Sequence, residues 1–309
     1  MSPSPKSGSK AASRSKRVPR SQPRLNPMMA CDTAFRVVAR RCLADLAANH
    51  AATCTGDEEA LHQMRVALAR LRAAISFFSP MVADSQRRQS WAELKWLHRQ
   101  LGTVRDLDVA IGRLETSGKQ RPDDYRFWKT KRAESHRGLA RALRSASYRR
   151  LIRDASAWIE SGPWATGDGK HAASKRASPI AAYCAGKSMR WQEKLLKKRR
   201  KLRDMGAKKR HRLRLFNKKC YYSVEFSRDL FRNRELVRQR AALKHLREAQ
   251  KALGQLNDDA KGQSLAATLQ RDGVRASLPF RGRKHEKRLI ERAAAAYREL
   301  AALKPLRAW

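Results

Sequence analysis

One basic helical segment is written twice in this chain, at a fixed spacing. The first copy runs His62-Gln63-Met64-Arg65, then Arg70, Arg72 and Phe77-Phe78. The second runs His211-Arg212-Leu213-Arg214, then Lys218, Lys219 and Phe226, with the two histidines 149 positions apart (211 − 62). Downstream of each stands a Leu-Gly pair, Leu101-Gly102 and Leu253-Gly254, 152 positions apart (254 − 102). Two landmarks repeating at nearly one interval mark a duplicated unit, and so restrict the chain to folds with two related halves.

Both halves read as helical. β-branched runs are rare, and Ala, Leu, Arg and Lys, all good helix formers, dominate. Asp57-Glu58-Glu59 predicts a helix start before Leu61, and Ser79-Pro80 its end. Gly102 reads as the close of the next helix, with Thr103-x-x-Asp106 as a capping box opening another. One helical stretch is predicted over 123–160. Ser161-Gly162-Pro163 and Thr166-Gly167-Asp168-Gly169 make the mid-chain break, after which helix resumes near Ser174. Arg232-Asn233 reads as a turn, and 272–282 as a stretch preceding the last helix. The expected organisation is therefore an all-α chain in four parts. A disordered basic tail (1–27) precedes an N-terminal helical bundle (28–160), a linker (161–173) and a C-terminal helical bundle (174–309). Lys6, Lys10, Arg14, Lys16, Arg17, Arg20 and Arg24, set among Ser and Pro, make the tail either an auxiliary polyanion contact or a solubilising extension.

On a helical wheel with about 100° per residue, Met64, Leu68, Leu71, Ile75 and Phe78 share one face, and His62, Arg65 and Arg72 form a stripe beside it. In the second copy His211, Arg214, Lys218 and Glu225 cluster, opposite Leu213, Cys220 and Val224, while Arg70 and Lys219 fall on the other flank of their helices. Cations sharing a helix side repel one another in isolation. Facing a run of phosphates they release counterions and form charge-assisted hydrogen bonds instead. The whole chain agrees: 70 Lys+Arg against 28 Asp+Glu give a net charge of +42, which self-repels unless a polyanion compensates it. The basic run over 187–219 has only Glu193 and Asp204 as acids and extends the same surface, as do Arg281, Arg283, Lys284, Lys287 and Arg288.

Several functions are not expected. No apolar stretch is long enough to span a membrane, and the N-terminus lacks the apolar region of a secretory signal, so a cytoplasmic protein is expected. The five cysteines show no Cys-x-x-Cys spacing and read as thiols of a reducing compartment, with no metal site and no cofactor expected. Gly186-Lys187-Ser188 resembles the end of a phosphate-binding loop, but position 181 is Ala where the loop needs Gly. Asp106 and Asp108, or Asp258 and Asp259, read as helix caps or partners of Arg105 rather than as acid/base pairs. No general base accompanies His62 or His211 in the sequence, so no enzyme activity is expected.

The segment from His62 to Arg72, followed by Leu101-Gly-Thr-Val-Arg105-Asp106-Leu-Asp108, resembles the CHAD domain (conserved histidine α-helical domain). The segment from His211 through Lys218, Lys219, Tyr222 and Glu225, followed by Leu253-Gly-Gln-Leu-Asn257-Asp258, is similar to that family's C-terminal repeat. The resemblance covers about residues 28–303. It implies two four-helix bundles related by a pseudo-two-fold axis, a basic central pore or groove that binds inorganic polyphosphate, and association with polyphosphate granules. By residue match it assigns His62, Arg65, Arg70, Arg72, His211, Arg214, Lys218 and Lys219 to that surface, with Arg105 and Arg212 beside them. Ala69 and Tyr221 depart from the family's basic pattern. The triphosphate tunnel motif Glu-x-Glu-x-Lys, fused to some relatives, is absent, so no triphosphatase activity is expected. The alternative is a non-specific nucleic-acid-binding protein, served by the tail and the 187–219 run.

Overall fold

The computed structural model describes residues 24–117, 122–167, 169–271 and 282–304. The expected tail up to residue 23, Asp168 and the 272–281 stretch lie outside the described residues. The elements are α1 (Cys31–Ala48), α2 (His50–Cys54), α3 (Glu58–Phe77), α4 (Gln86–Ser117), α5 (Pro122–Arg144), α6 (Ala146–Ser161), α7 (Lys170–Ala177), α8 (Ile180–Lys198), α9 (Ala207–Phe226), α10 (Asn233–Arg271) and α11 (Gly282–Ala302).

The repeat is visible in these bounds. Cys31 and Ile180 open α1 and α8 at the 149-residue interval, and α3 and α9 match at both ends. The segments leading into α1 and α8 meet in an antiparallel bridge between Ala30 and Pro179, themselves 149 apart. Around it Cys31 N–H donates to Ser178 O (3.0 Å) and Ile180 N–H donates to Met29 O (2.9 Å), two bonds that exchange under the shift. The pseudo-two-fold axis passes through this bridge. The first half packs α3 against α1 and α4, and α4 against α5, with α2 and α6 filling the sides. The second packs α9 against α8 and α10, and α10 against α11. The halves join where α3 meets α9 and α4 meets α10.

One core runs through both halves. Met64, Leu68, Leu71, Ile75 and Phe78, the apolar face read from α3, are all buried, as are Leu213, Cys220 and Val224 of α9. Phe77 links the halves by standing edge-on to Tyr183 and Trp191, with ring centroids 5.4 Å away in each case. Such pairs add to the area term of burial. Buried polar groups are bonded to match. Asn217 Nδ2 donates to Leu246 O (3.0 Å), and its Oδ1 accepts from Tyr297 Oη (3.1 Å), tying α9 to α10 and α11.

Four local expectations change. Gly102 does not end a helix: it lies inside α4, which runs unbroken through Thr103 and Asp106, so no capping box forms there. Gly254 is likewise interior to α10. The predicted helix over 123–160 is two helices, because Ser145 Oγ accepts from Tyr148 N–H (3.2 Å) and caps a new start. Helix resumes at Lys170, inside the expected linker, and breaks again before Pro179, whose missing N–H suits the entry to α8. Finally, Leu25 is buried and Pro27 O accepts from Ala181 N–H (3.2 Å), so the fold takes in chain ahead of residue 28. The other helix start holds, with Asp57 capping α3 by accepting from Ala60 N–H (2.7 Å).

Replacing Tyr297 by Phe leaves Asn217 Oδ1 buried without its donor. Urea unfolding is expected to show a loss of about 1–2 kcal/mol with the slope unchanged.

Candidate functional site

The burial of α3 and α9 fixes where their polar edges go. Both helices sink one face into the shared core and lie against each other, so the stripe beside each apolar face is pressed towards its counterpart. His62, Arg65, Arg72, His211, Arg214, Lys218 and Lys219 are all half-buried along this seam, and α4 adds His98 and Arg105. Arg65 has Arg214 and Arg105 among its charged neighbours, and Lys218 has Arg214, Arg65 and Arg72. His98 faces Arg72, Arg65, Lys218 and Lys261. Four helices thus deliver cations to one strip.

The interior glycine in α4 now has a role. Arg65 crosses α4 at Gly102, where its Nη1 donates to Leu101 O (3.1 Å). A Cβ at Gly102 would come within 3.3 Å of that nitrogen, whereas one at Gly254 would stand 3.9 Å from Arg214 Nε. Each repeat therefore passes its arginine over the glycine of the neighbouring helix, which explains why the Leu-Gly pair travels with the His-x-x-Arg step.

Confinement of like charges shows in the titration of the group. Burial, then Arg214, Arg65 and Arg72, push the Lys218 ammonium down to about 7. Burial followed by Arg72 and Arg65 pushes His98 down to about 4. His62 is lowered by burial and then by Arg105, and Arg65 by burial. Several donors are enclosed with no hydrogen-bond partner among the described residues, Arg72 Nε and Arg214 Nε among them. Such groups cost stability until an acceptor reaches them.

The acids stand at one edge. Lys261 donates to Asp106 (2.5 Å) and Arg113 pairs with Asp259 (3.0 Å), bridging α4 and α10. Asp106 is therefore the partner of Lys261, not of Arg105, and it sits in mid-helix, not at a cap. Asp108 is buried and held by Arg132 Nε (2.8 Å) and His136 Nε2 (2.9 Å) of α5. Burial raises its pKa, but those two hydrogen bonds outweigh it and keep Asp108 ionised, a structural tie between α4 and α5. Gly186-Lys187-Ser188 lies inside α8, so no phosphate loop exists there. Among the described residues no three His, Cys, Asp or Glu side chains gather as a metal site.

Of the residues singled out from the sequence, His62, Arg65, Arg72, Arg105, Arg214 and Lys218 converge, and Lys219 borders them beside Arg72. His211 Nδ1 is bonded to Asn257 Oδ1 (2.5 Å) at the α10 side. Asn257 stands 152 positions after Arg105, so one repeat pairs its histidine with an amide where the other sets it beside a cation. Arg212 is exposed and stands outside the seam. Arg70 is not part of the cluster either. It turns to the opposite flank and pairs with Glu225 (3.1 Å) and Asp45 (3.5 Å), because its wheel position lies across the helix from Arg65. Glu225 therefore holds Arg70 and Tyr221, not Lys218. Sequence reasoning missed His98, Lys261 and Trp91, over which Arg72 stacks at 4.8 Å. His98 stands one turn before Gly102, and that spacing was the available signal.

No curated protein sequence matches the chain. Among solved structures, it is similar to the crystal structure of the CHAD domain from the plant Ricinus communis. That match has a TM-score of 0.74 and 25% identity, over 93% of this chain and 96% of that one. A second match, PptA from Streptomyces chartreusis, has a TM-score of 0.55 and 13% identity, over 89% of this chain and 96% of that one, and shows the fold alone. The sequence profile of the CHAD domain matches residues 37–267, which take in both basic helices and both Leu-Gly pairs. On that match, and on the pseudo-symmetric all-α fold that accompanies it, the chain belongs to the CHAD-domain family.

Proposed function

We propose that this chain binds inorganic polyphosphate, without transforming it, in the cationic seam between α3 and α9, and that in the cell it associates with polyphosphate granules. The observation that carries the reading is the pair of enclosed arginine N–H groups, Arg72 Nε and Arg214 Nε, one from each repeat, with no acceptor among the described residues. A string of phosphate oxygens supplies those acceptors and offsets the mutual repulsion of the cations. The half-buried placement suits a slender, unbranched anion better than a duplex, whose phosphates need an open face. A binding role without catalysis is supported by the fixed duties of the acids: Asp106, Asp108 and Asp259 are each held in an ion pair. The exposed Arg212 and the exposed cations of the 197–201 run favour weaker, non-specific contacts with nucleic acid as a second reading.

The combined variant H62A/R65A/H211A/R214A is expected to keep its helical circular dichroism while losing affinity for long-chain polyphosphate by about a hundredfold or more. Calorimetry showing unchanged affinity in the folded variant would place the site elsewhere. Duplex DNA at equal phosphate concentration is expected not to displace bound polyphosphate, and displacement would favour the second reading.

The titration of Lys218 gives a pH dependence. Its folded value, about 7, lies below the ordinary 10.5, so the free protein loses this charge as pH rises through 7. A bound polyanion favours the ammonium, so binding takes up a proton. Affinity for long chains, whose ends contribute little, is expected to rise as pH falls from about 8.5 to about 6. Lys218→Arg, which keeps its charge throughout, is expected to flatten that profile. For the free protein the sign is opposite: the unfolded chain holds more protons between about 7 and 10.5, so this lysine alone makes stability rise with pH across that window.

A further inference from the structure

The two flanks of the α3/α9 seam occupy equivalent places in the duplication but carry different charge. On one flank a cavity of about 540 Å³ opens between α3, the start of α4, α8 and α9. Five cations line it: Arg87, Arg88, Lys187, Lys194 and Lys219. Its one carboxylate, Asp84, is engaged elsewhere, with Oδ1 accepting from Arg87 N–H (2.6 Å) and Oδ2 from Trp158 Nε1 (2.9 Å) and Trp164 N–H (3.1 Å). The opposite flank has a smaller cavity, about 230 Å³, lined by Arg70, Glu225, Val38 and Cys42 among others.

The 149-residue shift maps one flank onto the other. Lys219 corresponds to Arg70, Lys194 to Asp45, Ser76 to Glu225, Lys187 to Val38 and Trp191 to Cys42. Arg70 is thus neutralised by two carboxylates, while the same two positions around Lys219 hold a lysine and a serine. The charged neighbours of Lys219 are Arg72 and Lys194, so the cationic seam runs on into the larger cavity. Its aromatic walls already carry cations: Arg72 over Trp91 (4.8 Å), Lys187 over Trp191 (5.8 Å) and Lys194 over Phe216 (6.0 Å). Rings used in this way position charge rather than stack a nucleobase.

We propose that this cavity is an end-binding subsite, which takes the terminal phosphates of a linear polyphosphate whose interior lies in the seam. The proposal rests on the polyphosphate reading above. An internal phosphate of the chain carries one charge. A terminal one has a second ionisable oxygen, by analogy with a phosphate monoester of second pKa about 6, and so presents the densest charge the ligand offers. The mate of this cavity is smaller and sets Glu225 and Asp229 against Arg41, Arg70 and Arg228, so it offers a weaker cationic excess for those phosphates.

The test compares linear tripolyphosphate, cyclic trimetaphosphate (which has no ends) and long-chain polyphosphate at fixed ionic strength, by calorimetry. The key variant is S76E/K194D, which copies into this flank the carboxylates of the other. The wild type is expected to bind the linear trimer more tightly than the cyclic one. The variant is expected to lose about tenfold or more for the linear trimer, bring the linear-to-cyclic ratio near one, and still bind long chains through the seam. Equal binding of linear and cyclic trimers by the wild type, or an unchanged linear affinity in the variant, overturns the end-binding subsite. Failure of the wild type to bind long chains overturns the polyphosphate reading itself. Should S76E/K194D lose its helical circular dichroism, K187A/K194A carries the same expectation.

Discussion

The structure depends on holding like charges together. Arg214, Arg65 and Arg72 stand close enough to Lys218 to add to the burial that depresses its ionisation, Arg214 acts on Arg65 in the same sense, and nothing in the mutual electrostatics of these cations favours that approach. The compensation lies underneath. Each cation sits on a helix whose other face is buried with Met64, Leu68 and Leu71 or with Leu213, Cys220 and Val224, in a core continuous across both halves. Burial of apolar side chains, at about 1.5–3 kcal/mol each, fixes α3 against α9 whether or not the polar edges agree. A set of donors arranged in advance spends no ordering entropy when its ligand arrives. The seam is thus a binding site because the core leaves its side chains little choice of position.

Duplication supplies the parts in pairs, and the pairs have then diverged. The passage of an arginine over a helix glycine is kept in both halves, tightly at Gly102 and more loosely at Gly254. The histidine environments have separated, with Arg105 near His62 and Asn257 bonded to His211. Arg70 and Lys219 have separated furthest, one ion-paired and one facing further cations. Divergence is greatest at the flanks and least at the glycine crossings, where the backbones of neighbouring helices leave room for one side chain.

The fold was largely legible from the sequence, and the reason is periodicity. The apolar positions of α3 and α9 repeat at helical spacing, and the duplication supplied an independent check on register. Gly102 was misread because glycine near helix-favouring residues signals a C-cap locally; its actual use, clearance for an arginine from another helix, is a tertiary fact. Ser145 was missed because a capping serine inside an alanine- and arginine-rich stretch looks like any exposed serine. Within the site, the wheel separated Arg70 from Arg65 correctly, but the family likeness grouped them again, and the ion pairs to Asp45 and Glu225 favour the wheel. At the 152-residue interval the counterparts of His98 and Lys261 are Gln250 and Val109, so repetition gave no signal for them.

The bridge between Ala30 and Pro179 shows that the two halves meet as the subunits of a two-fold dimer do, same patch against same patch. In a true homodimer every substitution appears on both sides of the axis at once. Joining the copies in one chain removes that obligation. A lysine can then stand at position 194 while its counterpart at 45 is an aspartate, and a surface that symmetry would have made reversible acquires a front and a back.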